Sequence, residues 1–292
     1  MELAIATPES DSEAGAPPSS AIVPGVLGFG DSDVQARLER LQLPFEPSGY
    51  DAYGTSKRAL QLAFRWLEPL YKNYFRVRCH DIQRVPTHTR AMLVPNHSGG
   101  VGIDAAMTIC ACFFELEPPR LAQGMADMFL NRLPLASLIT SRTGQLTGLR
   151  EHAARLLADE RLLLVFPEGA RGTAKLFTER RTVQSFPLGF MRLAMQTNTP
   201  IIPVGILGAG EALPTVLNLA HAGRWLGVPY LPLTPYLLPV PLPARFELYF
   251  GQPLSFAGTG HEENDEVSAN VERVRTAIES LLQSGASKYR VV

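Results

Sequence analysis

Apolar residues recur at helical spacing from Thr55 to about Tyr74, where Leu60, Phe64, Leu67 and Tyr71 share one face. Thr55 or Ser56 can cap the start of this helix. Pro69 lies inside the pattern and predicts a kink or break, because proline lacks the amide N–H and crowds the preceding turn. From about residue 86 the pattern changes. Ala91 to Val94, Leu162 to Phe166 and Ile201 to Leu207 are short apolar runs that read as buried strands. Between them lie helical stretches from Asp104 to about Phe114, Glu151 to Asp159 and Phe186 to Met195. This alternation predicts an α/β fold with a mainly parallel central sheet flanked by helices. Arg245 to Phe250 alternates as a later strand. Asn264 to Leu282 closes the pattern as a C-terminal helix, with Val267, Val271, Val274, Ile278 and Leu281 on one stripe.

The pattern divides the chain. Residues 1–33 are rich in Ser, Pro, Ala and Gly and read as a disordered leader. Residues 34–85 form an N-terminal helical region, with a short helix around Val34 to Leu41 before the amphipathic one. A single α/β domain is expected over 86–285, followed by a tail over 286–292.

Composition narrows the function. An apolar fraction of 46% supplies a large core, and a net charge of −1 argues against a nucleic-acid partner. Cys79, Cys110 and Cys112 are too few and too scattered for a disulfide framework or a metal site, which suits a cytoplasmic setting. Charge matters locally. Lys57, Arg58, Arg65, Lys72, Arg76 and Arg78 stand against Glu68 alone, interleaved with Trp66, Tyr71, Tyr74 and Phe75. A basic, aromatic-rich helix fits an anionic membrane surface, and it fits equally a core-packed helix with a solvated basic face. Trp225 to Ala244 has no charge but holds six prolines, so it cannot be an ordinary spanning helix. It reads either as a lipid-facing segment or as a buried loop wrapping the domain.

Two blocks carry candidate chemistry. Asn96-His97-Ser98-Gly99-Gly100-Val101-Gly102-Ile103-Asp104 sits where a strand should end and a helix begin, the edge at which sites gather in such sheets. A histidine with a carboxylate partner can take a proton from an alcohol near neutral pH. The glycines let the loop fold back so that Asp104 reaches the ring. The other reading is a glycine turn with an Asp N-cap and an incidental histidine. Phe166-Pro167-Glu168-Gly169-Ala170-Arg171-Gly172 follows another strand and should reach the same edge. Glu168 and Arg171 are groups that can hold a substrate's hydroxyl or phosphate, or form a structural ion pair in a surface turn. Ile201-Ile202-Pro203-Val204-Gly205 alone is only a strand interrupted by proline.

Taken in order, His97…Asp104, Phe166-Pro167-Glu168-Gly169 and Ile202-Pro203-Val204 resemble the motif blocks of the glycerolipid acyltransferase superfamily, over roughly Ala91 to Gly251. The resemblance implies an α/β sandwich that moves an acyl group from acyl-CoA or acyl carrier protein to a glycerolipid hydroxyl, without a resident cofactor or metal. It implies His97 as base and Asp104 as its partner. It also implies that the Glu168, Gly169 and Arg171 block holds the acceptor and that Pro203 shapes the donor site. Backbone N–H groups of the Ser98, Gly99 and Gly100 loop, or near Gly169, become candidate oxyanion donors.

The sequence departs from the family pattern twice. Six residues separate His97 from Asp104, where four are usual. Gly144 and Arg150 keep the spacing of the acceptor block, but Thr147 and Gly148 replace its Phe and aliphatic residue. Arg150 is a phosphate-binding candidate or a surface arginine at a helix start, and a phosphate-free acceptor fits the altered block. The expectation is a cytoplasmic, peripherally membrane-associated acyltransferase whose partners are membrane lipid and the acyl donor. The rivals are a lipid-binding or scaffold protein without turnover, and a thioesterase or lipid hydrolase that uses water.

Overall fold

The computed structural model describes residues 31–99, 102–126, 134–147 and 149–289. The leader reading therefore falls mostly outside the described residues, which begin at 31. Among the described residues ten α-helices follow in chain order: α1 (Asp31–Arg40), α2 (Lys57–Pro69), α3 (Ile103–Phe114), α4 (Pro134–Arg142), α5 (Arg150–Ala158), α6 (Ala170–Thr173), α7 (Gly189–Gln196), α8 (Ala209–Ala212), α9 (Ala220–Trp225) and α10 (Asn264–Ala286). The strands are β1 (Arg78–His80), β2 (Ala91–Pro95), β3 (Ala122–Ala126), β4 (Leu146–Thr147), β5 (Leu162–Leu164), β6 (Ile201–Leu207), β7 (Leu217–Leu219), β8 (Leu231–Leu233) and β9 (Glu247–Phe250).

Among the described residues seven strands form one sheet in the order β1-β9-β6-β2-β5-β3-β4. Every pairing is parallel except β6 with β9. β7 and β8 make a separate antiparallel ribbon that carries α9. The fold is thus the expected α/β sheet flanked by helices. β2 is the middle strand, and both its faces are covered. Ala91 and Leu93 enter one core, with α3, Phe64 and Phe246; Met92 and Val94 enter the other, with α5, α7 and α10. Burial on both faces is why the strand reads as an unbroken apolar run.

Pro203 does not interrupt β6, which runs unbroken from Ile201 to Leu207. Its carbonyl accepts from Gly251 N at 2.8 Å, just beyond the end of β9, so the missing N–H falls at a ladder's end and breaks no central pairing. Gly205, two residues on, lets α10 approach: a Cβ there would meet Leu281 Cβ at 2.9 Å.

Near the N-terminus, Ser56 caps α2 by accepting from Ala59 N. At Pro69 the α-helix gives way to a π-helical turn, Leu70–Tyr74, so the proline widens the helix instead of ending it. Phe64 of α2 stacks on Phe113 of α3, with centroids 3.7 Å apart and planes within 4°. That stack docks the N-terminal helix on the sheet layer that carries the candidate site.

Candidate active site

Three adjacent strands, β6, β2 and β5, end side by side. The loop after β2 is tied to β6 by Asn96, a fully buried residue. Its amide donates to Ile206 O at 3.1 Å, and its carbonyl accepts from Ile206 N at 2.7 Å, continuing the ladder after the backbones part. His97 follows, and its Nδ1 lies 2.7 Å from Asp104 Oδ2. The histidine side chain is 12% exposed and the carboxylate 0%.

The six-residue gap closes because the loop reverses on glycine. Gly99 has φ +83°, and a Cβ on it would lie 2.6 Å from Ala209 O. Gly102, at φ +74°, starts α3. Asp104 then stands in the first turn of α3, where a negative charge is favoured by the helix dipole. Its Oδ1 accepts from Ala105 N at 2.9 Å, and its Oδ2 accepts from Ser98 N at 2.9 Å as well as meeting the ring. The carboxylate is therefore fixed by two backbone donors before it orients His97. The imidazole also packs on Phe166, centroids 4.2 Å apart. Among the described residues no hydrogen bond engages His97 Nε2, so with Nδ1–H donating to Asp104 its lone pair is available to take a proton.

The other site residues divide. Glu168 is 2% exposed, and both its oxygens are taken. Oε1 accepts from His97 N at 2.8 Å, while Oε2 accepts from Gln184 N at 3.0 Å and lies 2.5 Å from Lys175 Nζ. Its contacts are thus with the backbones of His97 and Gln184 and with Lys175. Gly169 has φ +54° and ψ −145°, a conformation that side-chain-bearing residues avoid. Arg171 is exposed and donates to Ser185 O at 2.9 Å. Arg150 is exposed and donates to Gln196 Oε1 at 2.7 Å, outside the polar network that joins His97, Asp104 and Glu168. Pro203 lies in the buried middle of β6, opposite Val94. Gly100 lies outside the described residues.

Some site residues gave no signal in the sequence. Lys175 is a lone lysine in a polar stretch, yet it is fully buried on Glu168 and on the carbonyl of His97. Gly172 is a close-approach glycine, since a Cβ would sit 2.6 Å from His97 Cβ. Tyr230, in the proline-rich segment from Trp225 to Ala244, turns its hydroxyl onto Thr173 of α6. Burial pushes that hydroxyl up to about 12, so it stays protonated as a donor at neutral pH.

A buried His–Asp pair lies beyond the central strand of a mainly parallel α/β sheet, and residues 76–207 match the family model described as Acyltransferase. The three ordered blocks that resemble the glycerolipid acyltransferase superfamily all lie within that matched segment. An uncharacterized protein of Mycobacterium tuberculosis is 31% identical over 222 residues, 73% of this chain and 62% of the relative. One from Mycobacterium leprae is 32% identical over 229 residues, 74% of this chain and 62% of the relative. The chain thus spans 62% of the length of these relatives. A human protein described as "DGAT1/2-independent enzyme synthesizing storage lipids" is 23% identical over 70% of this chain and 60% of its own length. The fold is that of the Thermotoga maritima 1-acyl-sn-glycerophosphate acyltransferase PlsC, at TM-score 0.50 and 18% identity, over 77% of this chain and 82% of that one.

Proposed function

We propose that the protein transfers a fatty acyl group from acyl-CoA or acyl carrier protein to a hydroxyl of a glycerolipid or lysophospholipid, with His97 as general base. The observation that carries this is the 2.7 Å contact between His97 Nδ1 and Asp104 within the acyltransferase-family region. Asp104 holds the proton on Nδ1, and Nε2 removes the acceptor's proton as its oxygen attacks the thioester carbonyl. The tetrahedral oxyanion then collapses, and the departing thiolate takes that proton back from the imidazolium. No acyl-enzyme forms. The N–H groups of Ser98 and Gly169 are already spent on Asp104 and on Phe166 O, so the oxyanion donors fall to other N–H groups of the glycine loop.

The relatives' descriptions, lysophosphatidate for the Thermotoga enzyme and storage lipids for the human one, support a lipid acceptor. Multiple-turnover assay with one labelled acyl-CoA and a panel of glycerolipid acceptors tests the reading. A labelled lipid that forms only with acceptor present is expected. Free fatty acid alone would instead identify a hydrolase, and no product would leave a lipid-binding protein.

The same reading includes peripheral membrane association. No helix among the described residues is long and apolar enough to cross a membrane. Leu62, Trp66 (76% exposed) and Leu70 form an outward apolar stripe along α2 and its π-helical turn. Arg58 and Lys72 are exposed on the same segment. Leu237 (72% exposed), Leu238 and Val240 of the proline-rich segment are also outward, and Tyr74 Oη donates to Pro241 O at 2.8 Å, joining the two regions. Apolar side chains beside cations suit an anionic lipid surface.

A further inference from the structure

The buried ion pair beside His97 has a geometry that a filler of space would not require. Lys175 Nζ lies 2.5 Å from Glu168 Oε2, and both side chains are 0% exposed. Lys175 also donates to His97 O at 2.9 Å, while Glu168 Oε1 accepts from His97 N at 2.8 Å. The N–H and the C=O of one residue are therefore gripped by the two members of one ion pair. Gln184 N holds the free side of the carboxylate at 3.0 Å. Gly172, between Glu168 and Lys175 in sequence, has no room for a Cβ, which would come within 2.7 Å of Glu168 Cβ. The segment after β5 is thus pressed against the His97 backbone.

Charges taken out of water carry a desolvation cost, and an apolar pair of similar volume commonly matches or exceeds such a pair in stability. Burial accordingly pushes the Lys175 ammonium down, with Glu168 opposing that shift. What an apolar pair cannot do is hold both hydrogen-bonding groups of the residue that carries the imidazole. Asp104 sets the ring from the side-chain end, and nothing else among the described residues holds His97 N and O.

We infer that Lys175 is a positioning residue, which with Glu168 clamps the His97 backbone and so fixes where the imidazole stands relative to the acceptor hydroxyl. This rests on the reading of His97 as the base. It assigns the Glu168 block to holding the base, where the family resemblance assigns it to holding the acceptor.

The test compares wild type, Lys175→Met, Lys175→Gln and the double variant Glu168→Leu/Lys175→Met by acyl transfer and thermal melting. The double variant replaces the ion pair with an apolar one; because it leaves His97 N, His97 O and Gln184 N without these partners, it is expected to melt below wild type but still cooperatively. Its kcat is expected to fall by about 10²-fold, the cost of a base misplaced by roughly an ångström, with KM for donor and acceptor unchanged. Lys175→Gln keeps volume and a donor for the His97 carbonyl, and should lose less kcat than Lys175→Met. A folded double variant with wild-type kcat overturns the clamp. If the double variant does not fold, a Lys175→Gln loss that equals that of Lys175→Met, or that appears as raised acceptor KM, overturns it. Absence of transfer by wild type overturns the function itself and the clamp with it, whereas equal turnover by wild type and variants overturns only the clamp.

Discussion

Asp104 shows how much one side chain settles at this site. Its carboxylate accepts from Ser98 N and Ala105 N and meets His97 Nδ1, and its carbonyl accepts from Thr108 Oγ1 at 2.7 Å. Asp104→Asn keeps the shape but places an amide N–H among donors. Where that N–H meets Nδ1, the imidazole proton moves to Nε2 and the base is lost. A fall in kcat of about 10²- to 10⁴-fold is expected, read by steady-state acyl transfer with melting as the control for folding; a variant with wild-type kcat would remove Asp104 from the dyad. The His97–Asp104 pairing was legible because both residues lie in one glycine-rich stretch, where close spacing limits the partners. The environment of Glu168 was not. Gln184 and Lys175 reach it through tertiary packing that leaves no periodic trace, and a lone lysine in a polar stretch looks solvated wherever it ends up.

Elements were legible in proportion to their apolar content. β6 and the start of α10 lie where the pattern put them, because every position of β6 is buried and α10 carries a full stripe. β1 (Arg-Cys-His) and β3 (Ala-Gln-Gly-Met-Ala) were not seen. They lack β-branched residues, and their neighbours in the sheet make them strands. The helix from Thr55 was legible, but the π-helical turn after Pro69 was not, since spacing alone does not reveal a change in residues per turn. The docking of α2 rests on Phe64, which stacks on Phe113 and meets Phe114 edge-on, centroids 5.8 Å apart. Phe64→Ala is expected to lower unfolding stability by about 3–5 kcal/mol, measured by urea denaturation. A change below about 1 kcal/mol would place it among ordinary surface substitutions and show that α2 is held elsewhere.

At the scale of the whole molecule, the mainly parallel sheet followed from the alternation of elements. The antiparallel pairing of β9 with β6, with β1 parallel to β9, did not, because a strand's direction is set by its connection and not by its residues. Trp225 to Ala244, which read either as lipid-facing or as a buried loop, is outward over much of its length, with Trp225 91% exposed. Leu237→Glu/Leu238→Glu together with Trp66→Glu should abolish co-flotation with vesicles containing anionic phospholipid while leaving the melting temperature unchanged, because the three side chains have few buried contacts to lose. Undiminished flotation would take this face off the membrane.

In the proposed reaction His97 is the base of an acyl transfer to a lipid hydroxyl. Multiple-turnover transfer from labelled acyl-CoA, run with the acceptor panel on wild type and on His97→Ala, tests it most directly. Acceptor-dependent labelled lipid is expected from wild type, with a loss of at least about 10²-fold in kcat for the folded variant. Near-normal turnover by folded His97→Ala would contradict it.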